Sequence, residues 1–196
     1  MPNHKKSFTL LELLIVIAIA TIIAGGLVPL FGTTKQDAKI AKLVSLTDTL
    51  RTACMAYYLD TGEYGKEFAG ASQDCNAGIG MRELSCADGV VDWAGPYLNH
   101  PFVNDDIPYV ASGIGVADTS CVFDLNGDGT FEIQGNGNYL YFTITSMGLA
   151  NADALAKKLN DIIDKSVPGN WRETGKLRYA TSGGDYDIWI YLFKSR

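Results

Sequence analysis

The chain has 196 residues, of which 47% are hydrophobic, and its formal net charge is -6. This length accommodates one globular domain beside an N-terminal segment of about 50 residues, and excludes two full domains. Because the charge is negative, and becomes -8 without Lys5 and Lys6, nucleic acid is not an expected partner.

The N-terminal segment contains a long apolar run with one acidic residue at its start. Residues 13–34, 22 in number, carry no charge. In a helix they reach about 33 Å, which is enough to cross the hydrocarbon core of a bilayer, so we predict a transmembrane helix. Lys5 and Lys6 form the positive flank that stays in the cytoplasm. Glu12 lies at the apolar boundary, where an unpaired carboxylate costs on the order of a few kcal/mol and usually serves a function.

An ordinary secretory signal peptide is the alternative for this segment. Its cleavage site would follow the small-x-small sequence of residues 18–20. Two observations argue against it, namely Glu12 inside the apolar run and helical patterning that continues beyond Ala20.

Residues 8–13, with the sequence FTLLEL, resemble the start of a mature type IV pilin or type II secretion pseudopilin that follows a short basic leader. Members of this family keep a Phe at the first mature position, a Glu four residues later and often a Pro near the end of the apolar stretch. Phe8, Glu12 and Pro29 stand at these positions here. The residue before the cut is usually Gly in the family, whereas here it is Ser7.

The resemblance implies an α+β pilin fold, with a long N-terminal helical stalk packed on a C-terminal antiparallel sheet. It implies processing between Ser7 and Phe8 by a prepilin peptidase and methyltransferase, and assembly into a homo-oligomeric helical filament through Glu12. Further implied partners are an inner-membrane assembly platform and other minor pilins. The implied location is the bacterial inner membrane for the prepilin, and then a periplasmic or extracellular filament.

We divide the chain into five predicted segments: a cleaved leader (1–7), a transmembrane and filament-core helix (8–34), an amphipathic half of the helix (35–59), a disulfide-pinned loop region (60–119) and an antiparallel sheet with an inserted short helix (120–196). The amphipathic half has apolar residues three, four and seven positions apart, which predicts one stripe facing the head. The stripe consists of Ile40, Leu43, Leu50, Cys54 and Tyr57.

Four cysteines, an even number in a chain directed out of the cytosol, predict two disulfides. Three connectivities are open, and we favour Cys75 to Cys86 together with Cys54 to Cys121. A zinc site is not expected, because no CxxC pair occurs and His100 is the only histidine outside the leader.

The C-terminal part has alternating β-branched and aromatic residues that predict an antiparallel sheet. The candidate strands are residues 121–123, 131–133, 138–145, 176–180 and 186–193. Residues 151–164 predict a helix with Leu155, Leu159, Ile162 and Ile163 on its apolar face. This helix and the cysteines favour a type IV pilus, whereas residues 60–64, 93–98 and 106–110 resemble segments of the major pseudopilin of type II secretion. Both filaments stay open.

Residues 124–132 place oxygen-bearing side chains at alternate positions, as in the first half of an EF-hand calcium loop. The candidate ligands are Asp124, Asn126, Asp128, Thr130 and Glu132. The twelfth position is Gly135 rather than Glu, so that either Glu132 at the ninth position or a carboxylate from elsewhere, such as Asp185 or Asp187, completes the shell. The alternative is a plain hairpin turn. We predict a structural Ca²⁺, since the resemblance adds that major pseudopilins carry one in their C-terminal loops.

The sequence contains no catalytic constellation, so we predict a structural protein and no enzyme. His100 stands in a Pro-flanked loop without a nucleophile motif, and the tyrosines at positions 139, 141, 186 and 191 alternate as sheet residues do. The predicted function is therefore a subunit of a type IV filament. The alternative from another class is a secreted or membrane-anchored calcium-binding module that does not polymerise.

Overall fold

The computed structural model describes residues 10–69, 75, 81–87, 89–103, 111–144, 149–165, 167, 169–170, 172–182 and 185–195. The chain divides into two compact units, Met1–Ala41 and Lys42–Arg196, and we call the second unit the head. The elements in chain order are α1 (Leu10–Thr61), β1 (Glu67–Phe68), β2 (Ala111–Ala117), β3 (Ser120–Phe123), β4 (Ile133–Asn136), β5 (Asn138–Ile144), α2 (Leu149–Ile163), β6 (Leu177–Ser182) and β7 (Asp185–Phe193).

The Met1–Ala41 unit contains the N-terminal part of α1, which begins at Leu10. Across the described residues, no helix includes a stretch that is long and apolar enough to cross a membrane. The side chains of residues 18–36 lie outside the description. The predicted transmembrane segment, residues 8–34, therefore stays a prediction.

Five strands of the head form one antiparallel sheet in the order β1-β2-β5-β7-β6. The central strand β5 alternates between buried and half-buried residues along its length. Leu140, Phe142 and Ile144 point to the buried face, because successive side chains of a strand point to opposite faces. The predicted α+β class and antiparallel sheet are confirmed.

The part of α1 that belongs to the head packs on this sheet. All five residues of the predicted apolar stripe are buried. Within the head, the guanidinium Nε of Arg51 donates to the carbonyl oxygen of Leu192 at 3.1 Å. The ring of Tyr58 packs on that of Phe193, with 5.5 Å between the centroids. Arg51 and Tyr58 thus join the helix to β7, and the burial of the stripe agrees with the predicted periodicity.

The predicted inserted helix is α2, which contacts β6 and β7. Leu155 and Leu159 are fully buried, as expected, but Ile162 is 41% exposed and does not belong to the buried face. Asp164 follows the helix, and its carboxylate accepts hydrogen bonds from the backbone N–H groups of Lys176 (2.7 Å) and Leu177 (3.1 Å). This side chain therefore ties the end of α2 to the start of β6.

The protein's own chain covers part of each edge of the five-stranded sheet. Four hydrogen bonds do so: Phe68 N to Met81 O (2.8 Å) and Glu83 N to Lys66 O (3.0 Å) beside β1, and Leu177 N to Asp164 Oδ2 (3.1 Å) and Tyr179 N to Arg172 O (2.9 Å) beside β6. Edge strands otherwise offer backbone groups to other chains.

The predicted loop region, residues 60–119, is wrong at two places. It contains β1 and β2, which both belong to the main sheet. The Gly, Ser and Ala residues of β2 carry little strand propensity, and pairing with β5 holds them extended. Gly115 is needed there, because a Cβ would lie 2.9 Å from the backbone oxygen of Glu67.

The assignment of all C-terminal strands to one sheet is also wrong. β3 and β4 pair with each other in a separate two-stranded sheet. β4 begins at Ile133, where the predicted strand 131–133 ends. The reason is that the turns of residues 124–132 extend through Thr130, so that β4 begins later in the chain than predicted.

One predicted disulfide is confirmed and the other is wrong. Cys75 and Cys86 are bonded, with an S–S distance of 2.08 Å. Cys54 is a free, buried cysteine, so it is not joined to Cys121. Cys54 lies on the helix face inside the head, whereas Cys121 belongs to β3 of the separate small sheet. The side chain of Cys121 lies outside the description.

Candidate functional site

The N-terminal part of α1 presents apolar side chains on every side. Leu13, Leu14, Ile15, Val16 and Ile17 are each 48% to 63% exposed. Because consecutive residues of an α-helix are about 100° apart, five of them surround the helix axis. A helix that is apolar all round is stable when lipid or other apolar helices cover it. This ring of side chains is therefore a candidate assembly surface.

Glu12 is the third residue of α1. The positive end of the helix dipole favours a carboxylate in the first turn by about 0.3–1 kcal/mol. That is less than the few kcal/mol that an unpaired carboxylate would cost at the predicted apolar boundary, so the dipole alone would not offset this cost. The side chain of Glu12 and the residues Ser7 and Phe8 lie outside the description, and their predicted roles stay predictions.

The predicted calcium segment connects β3 to β4 and begins with a buried carboxylate. Asp124 is 4% exposed. Its Oδ1 accepts a hydrogen bond from Gly127 N at 2.7 Å, and its Oδ2 accepts one from Gly129 N at 2.9 Å. Both glycines have positive φ angles, 76° and 86°, which few other residues adopt easily. Asp124 therefore folds the chain around its own side chain.

The rest of the segment repeats this pattern with exposed side chains. Asn126 Oδ1 accepts from Asp128 N at 2.9 Å, and Asp128 Oδ1 accepts from Thr130 N at 2.7 Å. Glu132 Oε2 accepts from Leu125 N at 2.6 Å, which closes the loop at its two ends. Successive side-chain-to-backbone turns of this kind are favoured by Asx residues.

Three of the five predicted ligands come together in this loop. One carboxylate oxygen from each of Asp124, Asp128 and Glu132 lies within 4.8 Å of the other two. Asp128 stays ionised, since the N–H of Thr130 and then the amide of Asn126 lower the pKa of its carboxyl group. Clustered carboxylates repel one another, and a hard cation such as Ca²⁺ would relieve that repulsion.

The other predicted ligands are placed differently. Asn126 directs its Nδ2 to Asp128 Oδ2 at 3.0 Å, so that its amide supports the cluster. Asp187 accepts a hydrogen bond from Thr143 Oγ1 at 2.8 Å and is engaged within the sheet. The side chain of Asp185 lies outside the description. Gly135 is a residue of β4.

A second loop of the head is fastened to the calcium segment. Gly175 N donates to the backbone oxygen of Asp124 at 2.6 Å, and Thr174 forms a parallel bridge with the same residue. Gly175 has a φ of +91°, and the Asp164 carboxylate occupies the space that a Cβ would need. No local sequence pattern predicts this contact, because it depends on residues about 50 positions apart.

Glu67 is a fully buried carboxylate that sequence reasoning missed. Its Oε1 accepts hydrogen bonds from Ser85 Oγ at 2.7 Å and Phe102 N at 3.1 Å, and its Oε2 accepts one from Ser85 N at 3.2 Å. Burial raises the pKa of Glu67, and these hydrogen bonds and the nearby charge of Arg82 oppose the rise. Glu67 therefore connects β1 to two parts of the loop region.

Burial also raises the pKa of the Cys54 thiol, so this thiol stays protonated and unreactive.

Comparisons with known proteins agree with this architecture. Residues 2–28 match the family described as the prokaryotic N-terminal methylation motif. The chain is 31% identical over 110 residues to the type IV major pilin protein PilE of Neisseria gonorrhoeae, a match that covers 55% of this chain and 64% of that pilin. It is 31% identical over 110 residues to the type IV major fimbrial protein FimA of Dichelobacter nodosus, with 54% and 69% covered. A fimbrial protein of Neisseria meningitidis serogroup B is 37% identical over 64 residues, with 33% and 38% covered.

The match thus spans less than two thirds of the gonococcal pilin and slightly more than two thirds of FimA. No solved structure matches the chain. An N-terminal helix packed on an antiparallel sheet is the architecture of a pilin. The chain belongs to the type IV pilin family.

Proposed function

We propose that the protein is a structural subunit of a type IV pilus. The observation that carries this proposal is the ring of exposed apolar side chains at residues 13–17, which lies inside the segment matched by the N-terminal methylation motif. A head domain without neighbours would leave these apolar side chains exposed to water, whereas filament subunits bury them against one another. The relatives named above are pilus and fimbrial proteins, which supports the same function.

In this proposal, a prepilin peptidase removes residues 1–7 and the new N-terminus at Phe8 is methylated. The precursor is held in the bacterial inner membrane by residues 8–34. An assembly platform in that membrane then moves subunits into the filament, which other minor pilins also enter. The proposed filament is periplasmic or extracellular.

The mature N-terminus tests this proposal directly. Mass spectrometry of the chain purified from its filament or membrane fraction is expected to find methylated Phe8 as the first residue. The Ser7→Gly variant, which restores the usual family residue before the cut, should be processed at the same bond. A chain that starts after Ala20 would instead identify a secreted module with an ordinary signal peptide.

A type II secretion pseudopilus is the second candidate function, favoured by residues 60–64 and 93–98. These segments pack together at the end of α1. Tyr97 Oη donates to Asp60 Oδ2 at 2.8 Å, and Trp93 Nε1 donates to the backbone oxygen of Glu83 at 2.7 Å. The contacts would stabilise the head in either filament. The similarity to type IV pilins therefore supports the pilus as the first candidate.

We further propose that the loop of residues 124–132 binds a structural Ca²⁺ through Asp124, Asp128 and Glu132. The convergence of their carboxylates supports this proposal. The ion would neutralise charges that the loop already holds close together, and would stabilise a connection that is fastened to the 169–177 segment.

Calcium should therefore raise the melting temperature of the full-length chain in detergent. At 100 times the Kd, one ion adds about 2.7 kcal/mol, or roughly 5–10 °C for a protein of this size. Asp128→Asn and Glu132→Gln, both at exposed positions, should each remove most of this rise. Asp161→Asn, an exposed change on α2, is the matched control. Equal melting temperatures of the wild type in calcium and in chelator would leave only the hairpin-turn interpretation.

A further inference from the structure

A concave pocket of about 310 Å³ lies in the head beside the 124–132 loop. Its wall is built by that loop, by the segment 169–174 and by the first half of β6. The volume is at the lower end of the roughly 300–1,000 Å³ that small-molecule sites occupy. The pocket therefore has room for one small ring-shaped molecule.

Three charged side chains line the pocket, and two of them, Arg178 and Glu173, keep polar atoms that no described residue binds. Arg178 Nη1 donates to the backbone oxygen of Val122 at 3.0 Å, which fixes the guanidinium and leaves most of its donors available. Glu173 is exposed. Neither side chain forms an ion pair with another described residue. The lining thus offers both guanidinium donors and carboxylate acceptors.

An aromatic ring and bare backbone complete the wall. Phe131 is 45% exposed, although it is a large apolar residue within a polar loop. Gly127, Gly129 and Gly169 contribute no side chains, so that a flat molecule can approach the backbone closely. Asn170, which is exposed, adds an amide that can both donate and accept.

The charges of the lining restrict the ligand class. The charge of Glu173 balances that of Arg178, and the Asp124 carboxylate accepts hydrogen bonds from Gly127 and Gly129, so these side chains give an anion no net attraction. A metal cation would be drawn to the carboxylate cluster of the adjacent loop, where its ligands converge. A neutral ring with one apolar face and a rim of hydroxyl groups matches the phenyl, donor and acceptor groups together.

We propose that this pocket binds a neutral sugar ring. Phe131 packs on the apolar face of the ring. Arg178 donates hydrogen bonds to its hydroxyl oxygens, and Glu173 accepts hydrogen bonds from its hydroxyl groups. Neither Arg178 nor Glu173 is a proposed calcium ligand, so a failure of the calcium proposal leaves this one standing.

Saturation-transfer NMR on the full-length chain tests the proposal, in a detergent without a sugar headgroup. Glucose, galactose, mannose and N-acetylglucosamine are the probes, each titrated in calcium and in chelator. At least one is expected to bind saturably. Phe131→Ala and Glu173→Gln should each weaken that binding at least tenfold, and since both residues are exposed, the melting temperature should not change.

The matched controls lie elsewhere on the head. Leu59→Ala removes an exposed apolar side chain from α1, and Glu63→Gln neutralises an exposed carboxylate, so both should bind as the wild type does. The proposal is overturned if none of the four sugars binds saturably in either condition, or if binding survives in both pocket variants. Tighter binding of N-acetylneuraminic acid than of every neutral sugar would also overturn it, since the pocket would then be an anion site.

Discussion

Replacing Glu12 with alanine is expected to lower incorporation of the subunit into filaments with wild-type subunits by roughly 70- to 400-fold. Leader cleavage and the folding of the head should not change. The estimate corresponds to one charge left unpaired in apolar surroundings, which costs about 2.5–3.5 kcal/mol.

The partner that we propose for Glu12 is created by processing. Cleavage before Phe8 produces an amine that is charged at neutral pH even when methylated. Parallel neighbours with an axial offset would bring Glu12 of one subunit near the Phe8 amine of the next, so that both charges are neutralised. Apolar contacts supply contact area but fix no axial position, because they are not directional. The ion pair would therefore determine the axial register.

Sheared filaments from cells that express both chains, quantified by immunoblot, provide the measurement. Glu12→Gln should be lost from filaments as Glu12→Ala is, since it removes the charge and keeps the shape. Glu63→Ala, on the exposed surface of the head, is the control. Wild-type incorporation of Glu12→Ala would show that Glu12 has no such role.

The second large effect is expected from Glu67→Ala, which should destabilise the head by about 3–5 kcal/mol. The substitution removes the acceptor of three hydrogen bonds, from Ser85 Oγ, Ser85 N and Phe102 N, at a fully buried position. Each donor left without an acceptor costs about 1–3 kcal/mol. Thermal melting of the full-length chain should show a decrease of roughly 6–20 °C, whereas Glu63→Ala should melt as the wild type does. A decrease no larger than that of Glu63→Ala would contradict the assigned role.

Glu67 should also leave a signature in the pH dependence of stability. Its folded-state pKa is raised above 4.5, so between these two values the folded chain holds a proton that the unfolded chain has lost. Wild-type stability should therefore fall as the pH rises through that window. Glu67→Gln removes the contribution of Glu67 to this pH dependence. Glu83 and Asp164, whose pKa values are also raised, still titrate in that variant. Parallel stability curves for the wild type and Glu67→Gln would show that Glu67 is not perturbed.

The spacing of apolar residues was sufficient to predict a helix or strand wherever one face of that element is buried. The stripe from Leu43 to Tyr57 and the alternation of β5 both come from burial inside the head, so burial leaves its period in the sequence. β2 leaves no such trace, because its small residues are held by pairing with β5 and by the close approach of Glu67 at Gly115. The tertiary contacts of β2, rather than the propensities of its own residues, therefore determine that this segment is a strand.

The candidate sites likewise divide into those that local sequence patterns predict and those that they do not. The carboxylates of Asp124, Asp128 and Glu132 could be predicted to converge, since short local turns place them. Glu67 could not be predicted, because its partners Ser85 and Phe102 are 18 and 35 positions away in a region without a period. The predicted pairing of Cys54 with Cys121 failed for the same reason, since cysteine spacing does not determine which cysteines lie close together in the fold.

The covered edges of the five-stranded sheet bear on what happens when many copies are crowded together. In a filament, heads lie side by side at very high local concentration, which is the condition under which open strand edges fuse into continuous sheets. Here residues 81–83 shield β1, while Asp164 and Arg172 occupy N–H groups of β6. At these positions a neighbouring head would contact the edge through side chains, and such contacts separate more readily than a shared β-ladder. In the proposed pilus, we expect subunits to separate from their neighbours without losing their fold.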